Sequence, residues 1–214
     1  YDVITAVVNT GGFTESKLKE IEEKSKKLGS IKHYTVDATE VIYENIIQYL
    51  IKLNGLYEDE YPLMCADRYI IAEEILKIAK EEKTDLVAHG STAVGNDQVR
   101  FEASLMTLNP NATIIAPIKE LNITRDKEIE YLEAKGFEVN KELKKYSINE
   151  NIFGITVSGT EIDQNMEPDS FAYTLTKRDE SKTKEYLKIE FEKGLPIKLN
   201  DQEIKGVELL SKLN

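Results

Sequence analysis

Residues 85–102 carry the sequence DLVAHGSTAVGNDQVRFE, which predicts a strand, a loop of small residues and the start of a helix. Asp85–Ala88 forms a brief apolar run that is typical of a buried strand. Residues 97–108 return to the apolar spacing of a helix. In parallel α/β sheets, ligands bind just outside the carboxyl ends of the strands, and the loop at 89–96 occupies such a position. The stretch therefore indicates an α/β sheet with a candidate ligand loop.

The same alternation of apolar runs and amphipathic stretches continues on both sides. Strands are predicted at residues 3–8, 31–36, 85–88 and 113–116, and helices at 15–28, 39–53, 66–82, 97–108 and 124–135. Gly29 and Gly136 end two of these helices, and Thr124 is suited to cap the start of another. Strands that alternate with helices form right-handed βαβ units, so the sequence predicts a mostly parallel sheet.

The pattern changes near residue 145, and we expect a domain boundary there. Strand-like runs at 152–158, 171–176 and 185–192 follow with little helical pattern between them, and a short helix is predicted at 203–213. This second part is typical of the α+β class. The first residue is not methionine and opens directly on a strand pattern, so we expect additional sequence upstream.

The composition is that of a soluble globular protein and argues against several functional classes. Hydrophobic residues make up 41% and charged residues 31% of the 214 residues. The formal net charge of −11 argues against a general nucleic-acid or anionic-membrane surface. No apolar run approaches the ~20 residues that span a bilayer. The single cysteine, Cys65, cannot form an internal disulfide and fits a reducing, cytoplasmic location.

The loop after the 85–88 strand combines groups that could hold an amino acid by both of its ends. Gly90 frees the backbone, and Thr92 adds a hydroxyl donor. Asn96 and Asp97 stand near the predicted helix start, where N–H groups favour a carboxylate or a phosphate. Arg100 shares a helix face with Asn96 and suits two-point binding of a carboxylate. The alternative is that Asn96 and Asp97 merely cap the helix and that Arg100 forms a surface ion pair.

Other segments give weaker signals. Val8–Gly12 follows the first strand, where small residues either let a flat ligand approach the backbone or form an ordinary tight turn. Residues 57–68 join two helices and carry Tyr61, whose phenol would line a lid unless it serves packing alone. His89, at a strand end, is interpreted as a structural histidine. The sequence contains no metal-ligand spacing and neither of the glycine motifs of P-loop and dinucleotide sites.

The run His89–Thr92 followed by Gly95–Glu102 closely resembles the signature of argininosuccinate synthases. Shorter similarities occur in the same order along the chain: LYE at 56–58, YPL at 61–63, IAP at 115–117, TR at 124–125, YSINEN at 146–151, FEKGLP at 191–196 and VELL at 207–210. On these motifs the sequence is identified as a member of that family.

The resemblance implies an α/β fold in which a nucleotide-binding domain of the ATP-pyrophosphatase (adenine nucleotide alpha hydrolase-like) type precedes an α+β synthetase and multimerisation domain. We expect residues 1–144 to belong to the first and residues 145–214 to the start of the second. The implied reaction is an AMP-forming ligation of citrulline with aspartate through a citrullyl-AMP intermediate. ATP would enter with magnesium as a substrate, without a protein-bound metal. The full-length protein would form a homotetramer, with no nucleic-acid or membrane partner.

Carried over by position, the resemblance assigns substrate contacts and no catalytic acid or base. The contacts to ATP, largely through the backbone, would come from Val8 and Gly90. The aspartate site would be formed by Thr92, Asn96 and Asp97. The citrulline site would be formed by Tyr61, Asn96, Arg100, Ser147 and Thr156.

Departures from the family pattern leave alternatives open. The family's S-G-G-x-D-[ST] phosphate loop would lie before the strand at 3–8. Many members carry Gly-Lys where this chain has Ala93-Val94, and the loop at 64–68 is shorter, with Cys65 or Ala66 nearest to an expected citrulline-contacting serine. The alternatives are a non-catalytic remnant that binds amino acids and nucleotide, or another ATP-pyrophosphatase-type enzyme, such as an RNA-modifying one. A serine–glycine–glycine–x–aspartate loop upstream would favour the ligase.

Overall fold

The computed structural model describes residues 2–93, 95–139, 146–159, 164, 166–173 and 184–214, and gives the backbone alone for Tyr61, Pro62, Arg125 and Phe171. The chain divides into two compact units. The first, called the discontinuous unit below, joins residues 1–67 with 146–214. The second, called the central unit, is formed by residues 68–145.

The regular elements of the described residues follow the predicted alternation in the first two thirds of the chain. The strands are β1 (Ile4–Asn9), β2 (Lys32–Asp37), β3 (Leu56–Tyr57), β4 (Tyr61–Pro62), β5 (Leu86–Ala88), β6 (Thr113–Ile115), β7 (Ser147–Asn151), β8 (Gly154–Ser158), β9 (Ile189–Glu192), β10 (Leu195–Leu199) and β11 (Gln202–Glu203). The α-helices are α1 (Glu15–Lys27), α2 (Thr39–Ile42), α3 (Gln48–Leu53), α4 (Asp67–Glu81), α5 (Asn96–Leu108), α6 (Pro117–Glu120), α7 (Arg125–Ala134) and α8 (Gly206–Leu213).

In the discontinuous unit, β1 and β2 pair in parallel with α1 between them in sequence, as a βαβ crossover requires. The pairing runs from Ile4 opposite Lys32 to Asn9 opposite Asp37. The hydroxyl of Thr14 caps α1 by accepting a hydrogen bond from the Lys17 N–H at 3.3 Å. The predicted parallel pairing of these strands is confirmed.

The stretch predicted as one helix at 39–53 is helical throughout but changes geometry in the middle. A π-helical segment at Tyr43–Ile47 separates α2 from α3. Ile42, Tyr43 and Ile47 are all buried. A π turn takes an additional residue, which a pattern of period 3.6 does not reveal. The helical stretch ends where Asn54 adopts the left-handed conformation (φ +48°).

The strand predicted at 152–158 is wrong in its extent, because the first two residues form the turn of a β-hairpin. Strands β7 and β8 pair antiparallel, with Asn151 opposite Gly154. The carboxamide oxygen of Asn151 accepts a hydrogen bond from the Phe153 N–H at 2.8 Å. Gly154 has a positive φ of +135°. An Asn that binds the backbone two residues ahead, followed by a Gly, closes the chain into a turn.

The rest of the discontinuous unit is an antiparallel sheet, β9–β10–β11, followed by α8. The strand predicted at 185–192 begins only at Ile189, and β10 was not predicted. Pro196 lacks an N–H donor, so the sequence of β10 resembles a loop more than a strand. In the structure the pairing of β10 with β9 shifts register between Pro196 and Lys198. The strand predicted at 171–176 is wrong at its start, since Ser170–Ala172 form a 3₁₀ turn. Residues 174–176 lie outside the described part, so the rest of that strand stays a prediction.

The central unit repeats the βαβ pattern. Strands β5 and β6 pair in parallel with α5 as the crossover, and Val87 lies opposite Ile114. Helices α4 and α5 pack on this pair through a core of buried Ala72, Ala79, Val87 and Leu105. Thr124 occupies the N-cap position of α7 as predicted, although its side chain makes no capping hydrogen bond.

Candidate substrate site

The loop that follows β5 leaves the start of α5 open to a ligand. The His89 N–H donates to the Ile115 carbonyl at 3.1 Å, which extends the parallel pair by one residue before the loop begins. Gly95 is the N-cap residue and is extended (φ −94°, ψ 152°), so no side chain caps the helix. The first N–H groups of a helix point outward and carry partial positive charge, and α5 therefore offers donors for an anionic group.

Three charged side chains form a cluster at this helix start. The Asp97 carboxylate accepts hydrogen bonds from two arginines, from Arg68 Nη2 to Oδ2 at 3.0 Å and from Arg100 Nη1 to Oδ1 at 3.0 Å. The side chains of Arg68 and Arg100 are 14% and 20% exposed, whereas that of Asp97 is 39% exposed. Arg100 thus forms an ion pair, as the alternative to a ligand-binding role predicted. Its partner Asp97 also binds Arg68. The cluster carries both signs of charge, which suits a zwitterionic ligand.

His89 lies beside the loop with a side chain that is 11% exposed. Its Nδ1 accepts a hydrogen bond from the Ser91 N–H at 3.3 Å, which places the ring proton on Nε2. Nε2 lies 3.6 Å from Glu102 Oε1 and has no hydrogen-bond partner within the described residues. Burial lowers the pKa of His89 and outweighs the opposing effect of the Glu102 carboxylate. These contacts agree with a structural role that fixes the backbone at Ser91.

Glu102 is held in turn by Lys119. Lys119 Nζ donates to both carboxylate oxygens of Glu102, at 2.6 and 2.8 Å. Burial alone would raise the pKa of Glu102, but the hydrogen bonds from Lys119 and Gln98 outweigh it and lower the pKa. An ionised Glu102 therefore anchors α5 to the residues after β6.

The residues of the central unit that were predicted to contact substrates belong to the loop after β5 and to the start of α5. Gly90, Thr92 and Asn96 are exposed. A Cβ added at Gly90 would meet no atom within 4 Å, so its backbone is approachable. Val94, where the family pattern differs, lies outside the described residues.

The predicted residues of the discontinuous unit occupy β1, β4 and the β7–β8 hairpin. Val8 is buried in β1 opposite Val36, and only its backbone is suited to a ligand. Ser147 and Thr156 lie on the same face of the hairpin, since Thr156 is opposite Asn149, two residues from Ser147. Ser147 is exposed and Thr156 is half-buried. The backbone of Tyr61 belongs to β4, and its side chain lies outside the described part.

A buried polar cluster in the discontinuous unit was not predicted. Asp67 is 2% exposed, and its Oδ2 lies 3.4 Å from both Thr10 Oγ1 and Asn151 Nδ2. Asn151 Nδ2 also donates to the Met64 carbonyl at 2.8 Å. The cluster fixes the turn after β1, the start of α4 and the hairpin to one another. The sequence offered one signal, the two asparagines of the YSINEN run, because Asn is depleted in β-strands.

A cavity of about 540 Å³ in the central unit lies away from these residues. It is lined by Thr84 and Asp85 before β5 and by Leu108 and Asn109 after α5. These positions mark the amino ends of the strands, whereas ligands of parallel sheets bind at the carboxyl ends. Geometry therefore favours the loop after β5 over this cavity as the substrate site.

The described residues contain neither a cluster suited to a metal ion nor a helix suited to a bilayer. No group of three or more His, Cys, Asp and Glu side chains in those ranges is arranged to hold a metal ion. None of the helices within them has the length and apolar character that a bilayer crossing needs.

Comparison with known proteins identifies the family. The profile described as "Arginosuccinate synthase N-terminal HUP domain" matches residues 1–138, and "Arginosuccinate synthase C-terminal domain" matches residues 146–214. The chain belongs to the argininosuccinate synthase family. The family and the α/β fold class predicted from the sequence, a parallel-sheet nucleotide-binding type followed by a second domain, are confirmed.

Curated relatives named argininosuccinate synthase match over the whole chain. The protein of Sulfurisphaera tokodaii is 44% identical over 217 residues, which is 100% of this chain and 54% of the relative. The protein of Methanocaldococcus jannaschii is 43% identical with the same coverage. That of Pyrococcus furiosus is 41% identical, with 100% of this chain and 52% of the relative covered. The chain thus spans about half the length of the argininosuccinate synthases it matches.

Proposed function

We propose that the complete protein is an AMP-forming carbon–nitrogen ligase that condenses citrulline with aspartate at the expense of ATP. The Arg68–Asp97–Arg100 cluster at the uncapped start of α5 carries this proposal. Such a start, following the carboxyl end of a strand in a chain of this family, suits amino-acid carboxylates and ammonium groups. Residues 1–144 act as the nucleotide-binding domain and residues 145–214 as the start of the synthetase domain.

Within the proposed site, each charged side chain takes the group of opposite sign. The guanidinium of Arg100 binds the citrulline carboxylate through parallel N–H donors. Asp97 receives the ammonium group of aspartate, and Thr92 and Asn96 add neutral hydrogen bonds. The open N–H groups of α5 strengthen the hold on a carboxylate.

The discontinuous unit supplies the other proposed contacts. The hydroxyls of Ser147 and Thr156, which share a hairpin face, bind citrulline together with Tyr61. The backbones of Val8 and Gly90 approach ATP, where small or buried side chains leave the main chain accessible. Magnesium enters bound to ATP, as is usual for nucleotide triphosphates, and is treated as part of the substrate.

The proposed chemistry proceeds in two displacements. The ureido oxygen of citrulline attacks the α-phosphorus of ATP, and pyrophosphate leaves with the electron pair of the broken bond. The ammonium group of aspartate loses a proton, and the resulting free amine attacks the activated ureido carbon. AMP leaves with the ureido oxygen, and the new guanidino nitrogen loses a second proton. Positioning of three substrates and neutralisation of phosphate charge lower the barrier, so no side chain is assigned as a general base.

Isotope transfer tests this reaction directly. The complete protein is incubated with aspartate, magnesium–ATP and citrulline that carries ¹⁸O in the ureido group. We expect argininosuccinate, AMP and pyrophosphate in equal amounts, with the label in the AMP phosphate. Release of ADP, or unlabelled AMP, would contradict the mechanism. Binding of citrulline and aspartate without turnover would instead favour the non-catalytic alternative.

The oligomeric state and the cellular location of the complete protein stay predictions. The homotetramer is tested by light scattering of the purified protein. The cytoplasmic location, expected from the single cysteine, is tested by cell fractionation.

A further inference from the structure

The Asp97 carboxylate is divided between two guanidinium groups within the central unit. Arg68 reaches Oδ2 from the first turn of α4, and Arg100 reaches Oδ1 from the same helix as Asp97. The i,i+3 pair of Asp97 and Arg100 is local to one helix, whereas Arg68 comes from a separate helix. Arg68 is also the least exposed member of the cluster, at 14%.

This division matters because Arg100 has two competing anionic partners once a substrate is present. Its guanidinium contacts Asp97 in the structure, and the proposed function requires it to bind a substrate carboxylate. If Asp97 had Arg100 as its sole cationic partner, the substrate would have to displace a charge-assisted hydrogen bond and leave the Asp97 carboxylate without its partner. With Arg68 on Oδ2, the carboxylate keeps one guanidinium when Arg100 turns to the substrate.

We propose that Arg68 is a positioning residue that holds Asp97 and thereby releases Arg100 for the carboxylate of the amino-acid substrate. This inference rests on the proposed function, since it concerns the same site. Arg68 acts through Asp97 and does not touch the reacting atoms. It also keeps the cluster at a net charge of +1, so the site stays attractive to an anionic group while Asp97 is ionised.

A purely structural Arg68 would give different kinetics from a positioning one. If Arg68 only stabilised the fold, its replacement would lower the melting temperature and the amount of active protein, and the KM values of the active fraction would not change. If it acts on Asp97, replacement raises the KM for citrulline, because Asp97 then competes more strongly for Arg100. The KM for aspartate rises as well, because Asp97 is less well oriented towards the ammonium group.

The experiment is a double-mutant cycle in the complete protein with steady-state kinetics of argininosuccinate formation. The variants are Arg68→Gln, Asp97→Asn and the two combined. Arg68→Gln should raise the citrulline KM by about tenfold, which corresponds to the loss of one charge-assisted hydrogen bond. In the Asp97→Asn background the same change should alter the citrulline KM by less than about twofold, because an amide does not compete for Arg100 as a carboxylate does.

Two further variants serve as controls. Lys77→Gln removes a cation from the same helix, where the half-exposed Lys77 pairs with Glu73 and Glu74, and should leave both KM values unchanged. Arg68→Lys keeps the charge without the planar fork and should restore part of the citrulline affinity. If Arg68→Gln does not fold, the cycle is completed with Arg68→Lys, and melting temperatures are recorded for every variant.

Separate results would overturn the inference and the function on which it rests. An active wild type whose citrulline KM is unaffected by either Arg68 replacement would overturn the role of Arg68 alone. An equal effect of Arg68→Gln with Asp97 present or replaced would do the same, because the residue would then not act through Asp97. A wild type that forms no argininosuccinate would overturn the proposed function, and this inference with it.

Discussion

Gly206 occupies a position where even a methyl group has no room. An ideal Cβ at this residue would lie 1.8 Å from Cζ and 1.9 Å from Oη of Tyr43, whose ring is buried at 8% exposure. Real Cβ atoms do not approach other atoms so closely, so Gly206→Ala must move either the start of α8 or the ring of Tyr43. The backbone of Gly206 has no positive φ, so the clash alone accounts for the expected cost.

The magnitude follows from two opposing effects. Overpacking in a well-filled core costs about 1–3 kcal/mol. Alanine is favoured over glycine in a helix interior by up to about 1 kcal/mol, and by less in the first turn. We therefore expect Gly206→Ala to reduce the free energy of unfolding by about 1–2 kcal/mol. For a folded domain of about 150–250 residues, this corresponds to a fall in melting temperature of about 2–8 °C.

The assay is equilibrium urea denaturation of the complete protein, followed by circular dichroism. Tyr43→Leu, which shortens the opposing side chain, is the matched partner in a double-mutant cycle. In that background the added cost of Gly206→Ala should shrink by at least about half. The reasoning would be refuted if Gly206→Ala were as stable as the wild type, or if its cost were the same with Tyr43 and with leucine.

Three further predictions concern the candidate site and its support. Arg100→Ala in the complete protein should raise the citrulline KM by about tenfold or more while the far-ultraviolet spectrum is retained, and unchanged citrulline kinetics would contradict its role. Because the folded state disfavours protonated His89, the stability due to its neutral form is fully present above its ordinary pKa of 6.5 and is lost as the pH falls through the lower folded value. Unfolding free energies measured from about pH 8 to about pH 5 should therefore decline less steeply in His89→Gln, and parallel curves would argue against a buried neutral ring. Asn151→Ala should destabilise the protein by about 2 kcal/mol, because it removes a buried donor from Asp67 and from the Met64 carbonyl; a urea midpoint within error of the wild type would show that the cluster contributes little.

The parallel strands were predictable because their sequences carry the information locally. The run at 3–8 is apolar and β-branched, and the run at 31–36 is rich in β-branched and aromatic residues. They form β1 and β2 with shifts of one residue at the ends. The start of α5 at Asn96 was likewise predicted within one residue, since Gly95 and the returning apolar period both mark it.

The hairpins of the last third were harder to predict because single residues reverse the local pattern. Asn151 turns the chain through a side-chain contact to Phe153, although Ile152 and Phe153 themselves have the composition of a strand. Pro196 has the opposite effect, since it resembles a strand breaker yet lies within β10. Neither the turn at Ile152 and Phe153 nor the strand at Pro196 follows from the hydrophobic period. Each depends on hydrogen bonds that the period does not describe.

The pairing within the candidate site could not be predicted for a different reason. The contact between Arg68 and Asp97 joins residues on two helices, and no periodic pattern relates them. Sequence reasoning placed Asn96, Asp97 and Arg100 together because they share one helix. It assigned no partner to Arg68, which the fold brings to the same carboxylate.

The division of the chain into a continuous central unit and a discontinuous one has a consequence for synthesis on the ribosome. The glycine pair after β1 packs against residues 150–152, with an ideal Cβ at Gly12 only 2.4 Å from the Glu150 carbonyl. These partners are synthesised about 140 residues after the glycines. The surface at Gly11 and Gly12 therefore stays exposed to solvent until residues 150–152 have left the ribosome. The central unit needs no such delay, because the strands and helices described in it come from one continuous segment of the chain. Vectorial folding should therefore complete residues 68–145 before the two segments of the discontinuous unit come together.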